Sequence, residues 1–257
     1  MALQAMDELV AAVEAGKSEQ LKTYLATMGR FHRYSLGNQL LISFQRPDAT
    51  RVAGYRTWMQ LGRRVKRGEK AIRILAPIVR RTKDEDEDEK VVSFRSACIF
   101  DVSQTDGKPL AEFARVGGDP GEYASRLRGL ITAKGIKLEY SNAIGSAQGL
   151  SAEGRIVLRE DLGPAEEFST LAHELAHEIL HQGRESPTSR TVRETEAEAV
   201  AFVVCQAIRL DANSSASDYI QLYDGSKETL IESLERIQQT AGEIIRGITP
   251  RDQKAAA

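Results

Sequence analysis

The sequence is poor in the residues that most often anchor small folds and cofactors. It has two cysteines, one tryptophan and four histidines in 257 residues, and aromatics make up only 6%. Cys98 and Cys205 both sit in apolar runs, SACIF and FVVCQAI, and read as buried small hydrophobes in a reducing compartment. No apolar run approaches the roughly 18 residues a spanning helix needs, so no membrane partner is expected. The N-terminus MALQAMDELVAAVEAGK has acids and no cationic start before a long apolar core, so no signal peptide is expected. The expected location is the cytoplasm.

What the chain does have is charge, unevenly placed. The net charge of −2 hides ten Lys/Arg against the single acid Glu69 between residues 51 and 81. KDEDEDEK follows at 83–90, with six acids in eight residues. That run has no core-forming residue and reads as a solvated loop. Local sign therefore says more about partners than the overall balance does.

Three of the four histidines fall in one stretch, LAHELAHEILH at 171–181. On a helix His173 and His177, four residues apart, share a face and can reach one cation, with Glu174 beside them to take a proton from water. This is the H-E-x-x-H arrangement of a zinc hydrolase, and Zn²⁺ is the expected cofactor. A third protein ligand is needed. The segment RETEAEAVAFVVC at 193–205 offers Glu194 and Glu198 on one helical face, with Glu196 about 200° around from Glu194. Glu194 is the preferred ligand, with Glu198 orienting a histidine; the reverse assignment stays open. Glu196 fits a solvated face. Peptide-bond hydrolysis, with Glu174 as general base and a protein substrate, is the reaction class this chemistry suits. The competing expectation is a metal site that is structural or inactive.

Apolar spacing predicts helices over 5–27, broken near Gly16 to Ser18, and over 29–46. A hairpin turning at Arg67, Gly68 and Glu69 and a covered strand are expected next, with 71–79 pairing to 91–101 across the acidic loop. After a boundary near 106–120, helices are expected at 121–133, 165–181, 190–209 and 230–248, and short strands at 136–142 and 154–160 around a Gly- and Ser-rich turn.

The basic segment carries rings as well as charge. Arg33 and Asn38, then Tyr55, Arg56, Trp58, Arg63, Arg64, Lys66, Lys70 and Arg73, combine cations for phosphates with aromatics for bases, as single-stranded nucleic acid binding requires. The opposing expectation is an exposed basic hairpin whose Tyr55 and Trp58 belong to the core.

YSLGNQLLISFQRPDATRVAGYRTWMQLGRRVKRGEKAIRILAP (34–77), FDVSQTDG (100–107) and HELAHEILH followed by RETEAEAVAFVVC resemble the ArdC-type antirestriction proteins. The resemblance implies a single-stranded-DNA-binding domain fused to a zinc metallopeptidase domain similar to the ImmA/IrrE peptidases. It places metal on His173 and His177, the catalytic role on Glu174, and a carboxylate ligand on Glu194 or Glu198. The expected fold class is α+β: a mixed helix and hairpin domain over 1–110, then a mostly helical zincin-like domain with a small sheet over 120–250. DNA binding by the first domain could suffice for protection.

Overall fold

The protein was analysed as a computed structural model that describes residues 2–80, 90–109, 118–145, 147–152, 154–181, 189–210, 219–223 and 226–250. The acidic run at 84–89, most of the loop expected at 183–189, and the terminal KAAA lie outside the described residues. The fold is α+β, and it divides into two compact units: residues 1–6 with 37–112, and residues 7–36 with 113–257. The helical segment 7–36 groups with the second unit.

In the first unit, β1 (Val52–Gly54), β4 (Lys90–Asp101) and β3 (Ile72–Arg80) form an antiparallel sheet in the order β1-β4-β3. The expected pairing of 71–79 with 91–101 is present, with Ile72 opposite Ile99 and Leu75 opposite Ser96. An open strand edge leaves backbone groups without partners. Here α3 (Leu36–Gln45) partners part of the β3 edge with side-chain amides. Asn38 donates to the Leu75 carbonyl and accepts from its N–H, both at 2.8 Å. Gln45 does the same at Arg73, at 2.9 Å. Trp58, on the short helix α4 (Tyr55–Gln60), is buried and donates its indole N–H to the Phe100 carbonyl.

The hairpin expected around Gly68 does not form. β2 (Arg63–Val65) pairs antiparallel with β5 (Thr105–Gly107) instead, placing Arg63 opposite Gly107. Two features favour that partner. The Arg63 guanidinium bonds Thr105 Oγ1 and the carbonyls of Thr105, Gly107 and Lys108. Gly107 has φ of 140°, and a Cβ there would lie 2.4 Å from the Gly62 carbonyl, so only glycine allows the approach. The single helix expected over 29–46 is also two. α2 (Ser18–Arg30) stops at a turn in which Tyr34 N–H bonds the Phe31 carbonyl, and α3 starts afresh.

The second unit is built on α7 (Arg190–Ala207). It buries Val192, Ala197 and the whole run Ala199 to Cys205, so its C-terminal half is apolar nearly all round, as a central helix must be. It packs against α2, α6 (Pro164–Leu180) and α8 (Lys227–Ile248); α1 (Ala2–Glu14) and α5 (Glu122–Ala133) are the other α-helices among the described residues. Pro164 opens α6 where a missing N–H costs nothing, and Glu166 reaches back to the Gly163 N–H. A three-stranded sheet lies beside α6 in the order β6-β8-β7, formed by Lys137–Tyr140, Arg155–Leu158 and Gly149–Ala152. β6 and β8 fall where short strands were expected, but the turn between them holds a third strand, β7, which pairs antiparallel with β8.

Cysteine burial divides the pair. Cys205 is buried and its thiol is pushed up to about 12 by that burial. Cys98 is exposed, because it faces away from Ile72, Ile74 and Ile99 on the outer side of the first sheet.

Candidate metal centre and nucleic-acid surface

α6 and α7 bring His173, His177 and Glu194 together, with one ligand atom from each within 4.8 Å of the others. The two Nε2 atoms are 3.1 Å apart, and Glu194 Oε2 lies 3.3 Å from His177 Nε2 and 3.7 Å from His173 Nε2. Donors about 2.0–2.1 Å from a tetrahedral ion sit about 3.3 Å from one another, so this triangle suits a divalent cation. On the other side of the His173 ring, Nδ1 lies 3.4 Å from Glu198 Oε2. A carboxylate there favours the tautomer with its proton on Nδ1, which leaves the Nε2 lone pair turned toward Glu194 and His177.

The electrostatics follow the geometry. Burial works to lower the pKa of His173, but the Glu198 bond and the charges of Glu174, Glu198 and Glu194 outweigh it and hold it above the ordinary value. His177 is held low by burial and by the neighbouring His173. Glu174 is buried between α6 and β7, and that burial raises its pKa; Glu194 and Glu178 add to the effect, while His173 and a bond from Ser151 oppose it. A carboxyl so placed holds a proton more readily than one in water.

Strand β7 fits against Glu174 only because of Gly149. A Cβ at that position would lie 2.8 Å from Cγ and Oε1 of Glu174 and from Cγ2 of Thr170. The next acid on α6, Glu178, is buried and accepts the Gly154 N–H at 2.9 Å, anchoring the turn between β7 and β8. Gly149, Ser151 and Glu178 were not singled out from the sequence. The one available signal was the second glutamate of HELAHE, one helical turn after Glu174 and on the same face.

Glu196 departs from its expected solvated face. It is fully buried, and Arg236 of α8 donates to its Oε1 from Nε and Nη2 at 2.9 and 2.6 Å. The acid points away from the centre because a cation on α8 receives it. His181, whose Nε2 lies 3.8 Å from Glu196 Oε2, is lowered to about 4, chiefly by burial.

The nucleic-acid residues differ in setting. Tyr55, Arg56, Arg64, Lys66, Lys70 and Arg73 are exposed on the first unit. Asn38 and Trp58 are both buried, and their polar atoms bond backbone. Arg63 is committed to the β2–β5 pair. Arg33 is exposed but belongs to the second unit. Among the described residues, no helix is long and apolar enough to cross a membrane.

A two-histidine, one-carboxylate cluster on paired helices, with a buried glutamate between helix and sheet, defines a metallopeptidase-like domain. Residues 133–211 match the IrrE N-terminal-like domain of the M78 peptidases, and residues 1–105 match the N-terminal domain of the anti-restriction factor ArdC. The chain thus joins an ArdC-type N-terminal domain to an M78 peptidase-like domain. Two crystal structures of the antirestriction ArdC protein from plasmid R388 share its fold. The metal-free form has a TM-score of 0.55 at 18% identity, covering 96% of this chain and 97% of that one. The Mn(II)-bound form has a TM-score of 0.56 at 16% identity, covering 98% and 99%. An uncharacterized protein of Bacillus anthracis is 24% identical over 272 residues, which take in 86% of this chain. The chain spans 46% of that relative's length.

Proposed function

We propose that this protein is an antirestriction protein that binds single-stranded DNA through its N-terminal region, about residues 1–110. The region at 120–250 then carries a zinc-dependent peptidase site that acts in the cytoplasm on a protein substrate. The observation that carries the second half is the convergence of His173 Nε2, His177 Nε2 and Glu194 Oε2, with Glu198 behind His173. The Mn(II)-bound ArdC relative supports a divalent cation at such a centre.

In this reading His173, His177 and Glu194 hold the ion, and Glu198 fixes the His173 tautomer. When bound, zinc supplies Lewis acidity toward a carbonyl and acidifies water. Glu174 accepts the proton released during attack and returns it to the leaving amine. Its buried setting, which raises its pKa, suits it to hold that proton between the two steps. The exposed cations at 56–73 supply phosphate contacts for DNA.

Metal content measured by mass spectrometry tests the centre. About one zinc per chain is expected in the wild type and far less in His173→Ala, His177→Ala and Glu194→Ala; full occupancy in all three overturns the ligand assignment. Hydrolysis of fluorescent casein tests the chemistry. Glu174→Gln is expected to keep its zinc and lose about 10²–10⁴ in rate. Antirestriction that survives in Glu174→Gln would assign protection to DNA binding alone.

A further inference from the structure

Among the described residues, nothing packs over the outer face of the first sheet, which lies exposed. Cross-strand partners in an antiparallel pair point to the same side. Arg73 faces Cys98, Leu75 faces Ser96, and Pro77 faces Phe94, so these six side chains share one face. The opposite face carries Ile72, Ile74 and Ile99 into the core. All six residues of the outer face are exposed, and Phe94 is the extreme case at 65%. A phenylalanine on a two-stranded ribbon, beside an exposed leucine and proline, leaves apolar area in water that a structural role would bury.

We infer that this face is a stacking surface for unpaired nucleobases, with Phe94 as its ring and Arg73 as its phosphate or base-plane contact. The charge is complementary to nucleic acid: the six residues include a cation and no carboxylate, and the same unit carries the exposed cations Arg56, Arg64, Lys66 and Lys70. The shape favours single strands. An exposed ring on a strand can stack on a splayed base, whereas bases in a duplex are already stacked. Cys98 and Ser96 keep the surface beside Phe94 low. This assignment rests on the reading of the N-terminal region as a single-stranded-DNA-binding domain, and it adds to that reading the residues that touch bases.

The test is fluorescence anisotropy of labelled oligothymidylate with the full-length protein. Phe94→Ala is expected to raise Kd about tenfold, Phe94→Trp to restore it, and the salt slope to stay at the wild-type value because stacking releases no counterions. A duplex of equal length is expected to bind more weakly and to ignore residue 94. Circular dichroism melting checks that Phe94→Ala folds as the wild type does, as an exposed position should. If the wild type binds oligothymidylate and Phe94→Ala binds it equally well, the stacking surface is wrong and the DNA reading stands. If the wild type does not bind, both fall.

Discussion

Glu198 Oε2 lies 3.4 Å from Nδ1 of His173, while Glu194 Oε2 lies 3.7 Å from Nε2 of the same ring. One turn of α7 therefore holds both sides of one imidazole, and the two acids have separable effects. Glu194→Ala removes a donor from the centre, and Glu198→Ala removes the group that orients one. Competition with a chromophoric chelator is expected to show zinc affinity falling about 10–100-fold in Glu198→Ala and further in Glu194→Ala. The opposite order would exchange the two roles.

Gly149 gives a test of Glu174 that leaves the metal alone. An alanine Cβ at that position would sit 2.8 Å from the Glu174 carboxyl, so helix, strand or carboxyl must shift. Zinc affinity in Gly149→Ala is expected to match the wild type, because the atoms nearest the added Cβ belong to Glu174 and Thr170 and to none of the three donors. Casein hydrolysis is expected to fall about 10–100-fold, the scale on which small misplacements of a reacting group act. Unchanged hydrolysis would mean that the carboxyl has room the close contact denies.

Two kinds of residue account for what the sequence disclosed and what it hid. HELAHE has a period that a helix reads directly, so the shared face of His173 and His177 was legible from spacing alone. The apolar run from Ala199 to Cys205 likewise announced a central helix. β7 was hidden because Gly149, Leu150, Ser151 and Ala152 contain one large apolar residue, and it faces water. Its strand state comes from pairing with β8 and from the fit of Gly149 on Glu174, both tertiary. Glu196 was hidden for a related reason: its cation lies 40 residues away on α8. The landmark FDVSQTDG was legible as a pattern but not as a cause. Its Asp101 and Gln104 cap a single turn reciprocally, and Gln104 then reaches Glu69 and the Lys70 carbonyl, which explains the segment without any ligand.

The Glu196–Arg236 pair is expected to dominate stability in the second unit. Arg236→Ala leaves a fully buried carboxylate with its strongest partner gone. The cost is about 2–4 kcal/mol, below the upper range for buried pairs because Arg236 is partly exposed. Thermal melting should then show the midpoint lower by about 5–15 °C. A midpoint within a degree of the wild type would mean that the pair contributes little.

Acid should loosen the first unit through Asp101. Its carboxylate accepts N–H bonds from Thr50 and Arg51 at 2.8 and 2.9 Å and from Ser103 at 2.9 Å. Burial works to raise its pKa, but these bonds outweigh it and hold the carboxyl below the usual aspartate value. A group whose pKa is lower in the folded state stabilises fully above its unfolded value, near about pH 4, and loses that contribution as pH falls through the folded value. Asp101→Asn is therefore expected to lower stability at neutral pH and to narrow the gap from wild type in strong acid. Urea melts at several pH values would show it; a gap constant across the range would remove Asp101 as the cause.

Arg63 and Arg64 are neighbours on β2 with opposite assignments. The Arg63 guanidinium is spent on Thr105 and on the carbonyls of Gly107 and Lys108, whereas Arg64 is exposed. Arg63→Ala strands the acceptors of buried Thr105 and unpins β5, at about 1–3 kcal/mol, while leaving the DNA-facing charge of its neighbours in place. Arg64→Ala should melt like the wild type and weaken oligothymidylate binding, with the slope of log affinity against log salt shallower by about 0.7 for one lost phosphate contact on a single strand. Measuring both variants in both assays separates scaffold from footprint. If Arg63→Ala changed the salt slope and left the melting midpoint alone, Arg63 would belong to the footprint and the β2–β5 pairing would have to be held by something else.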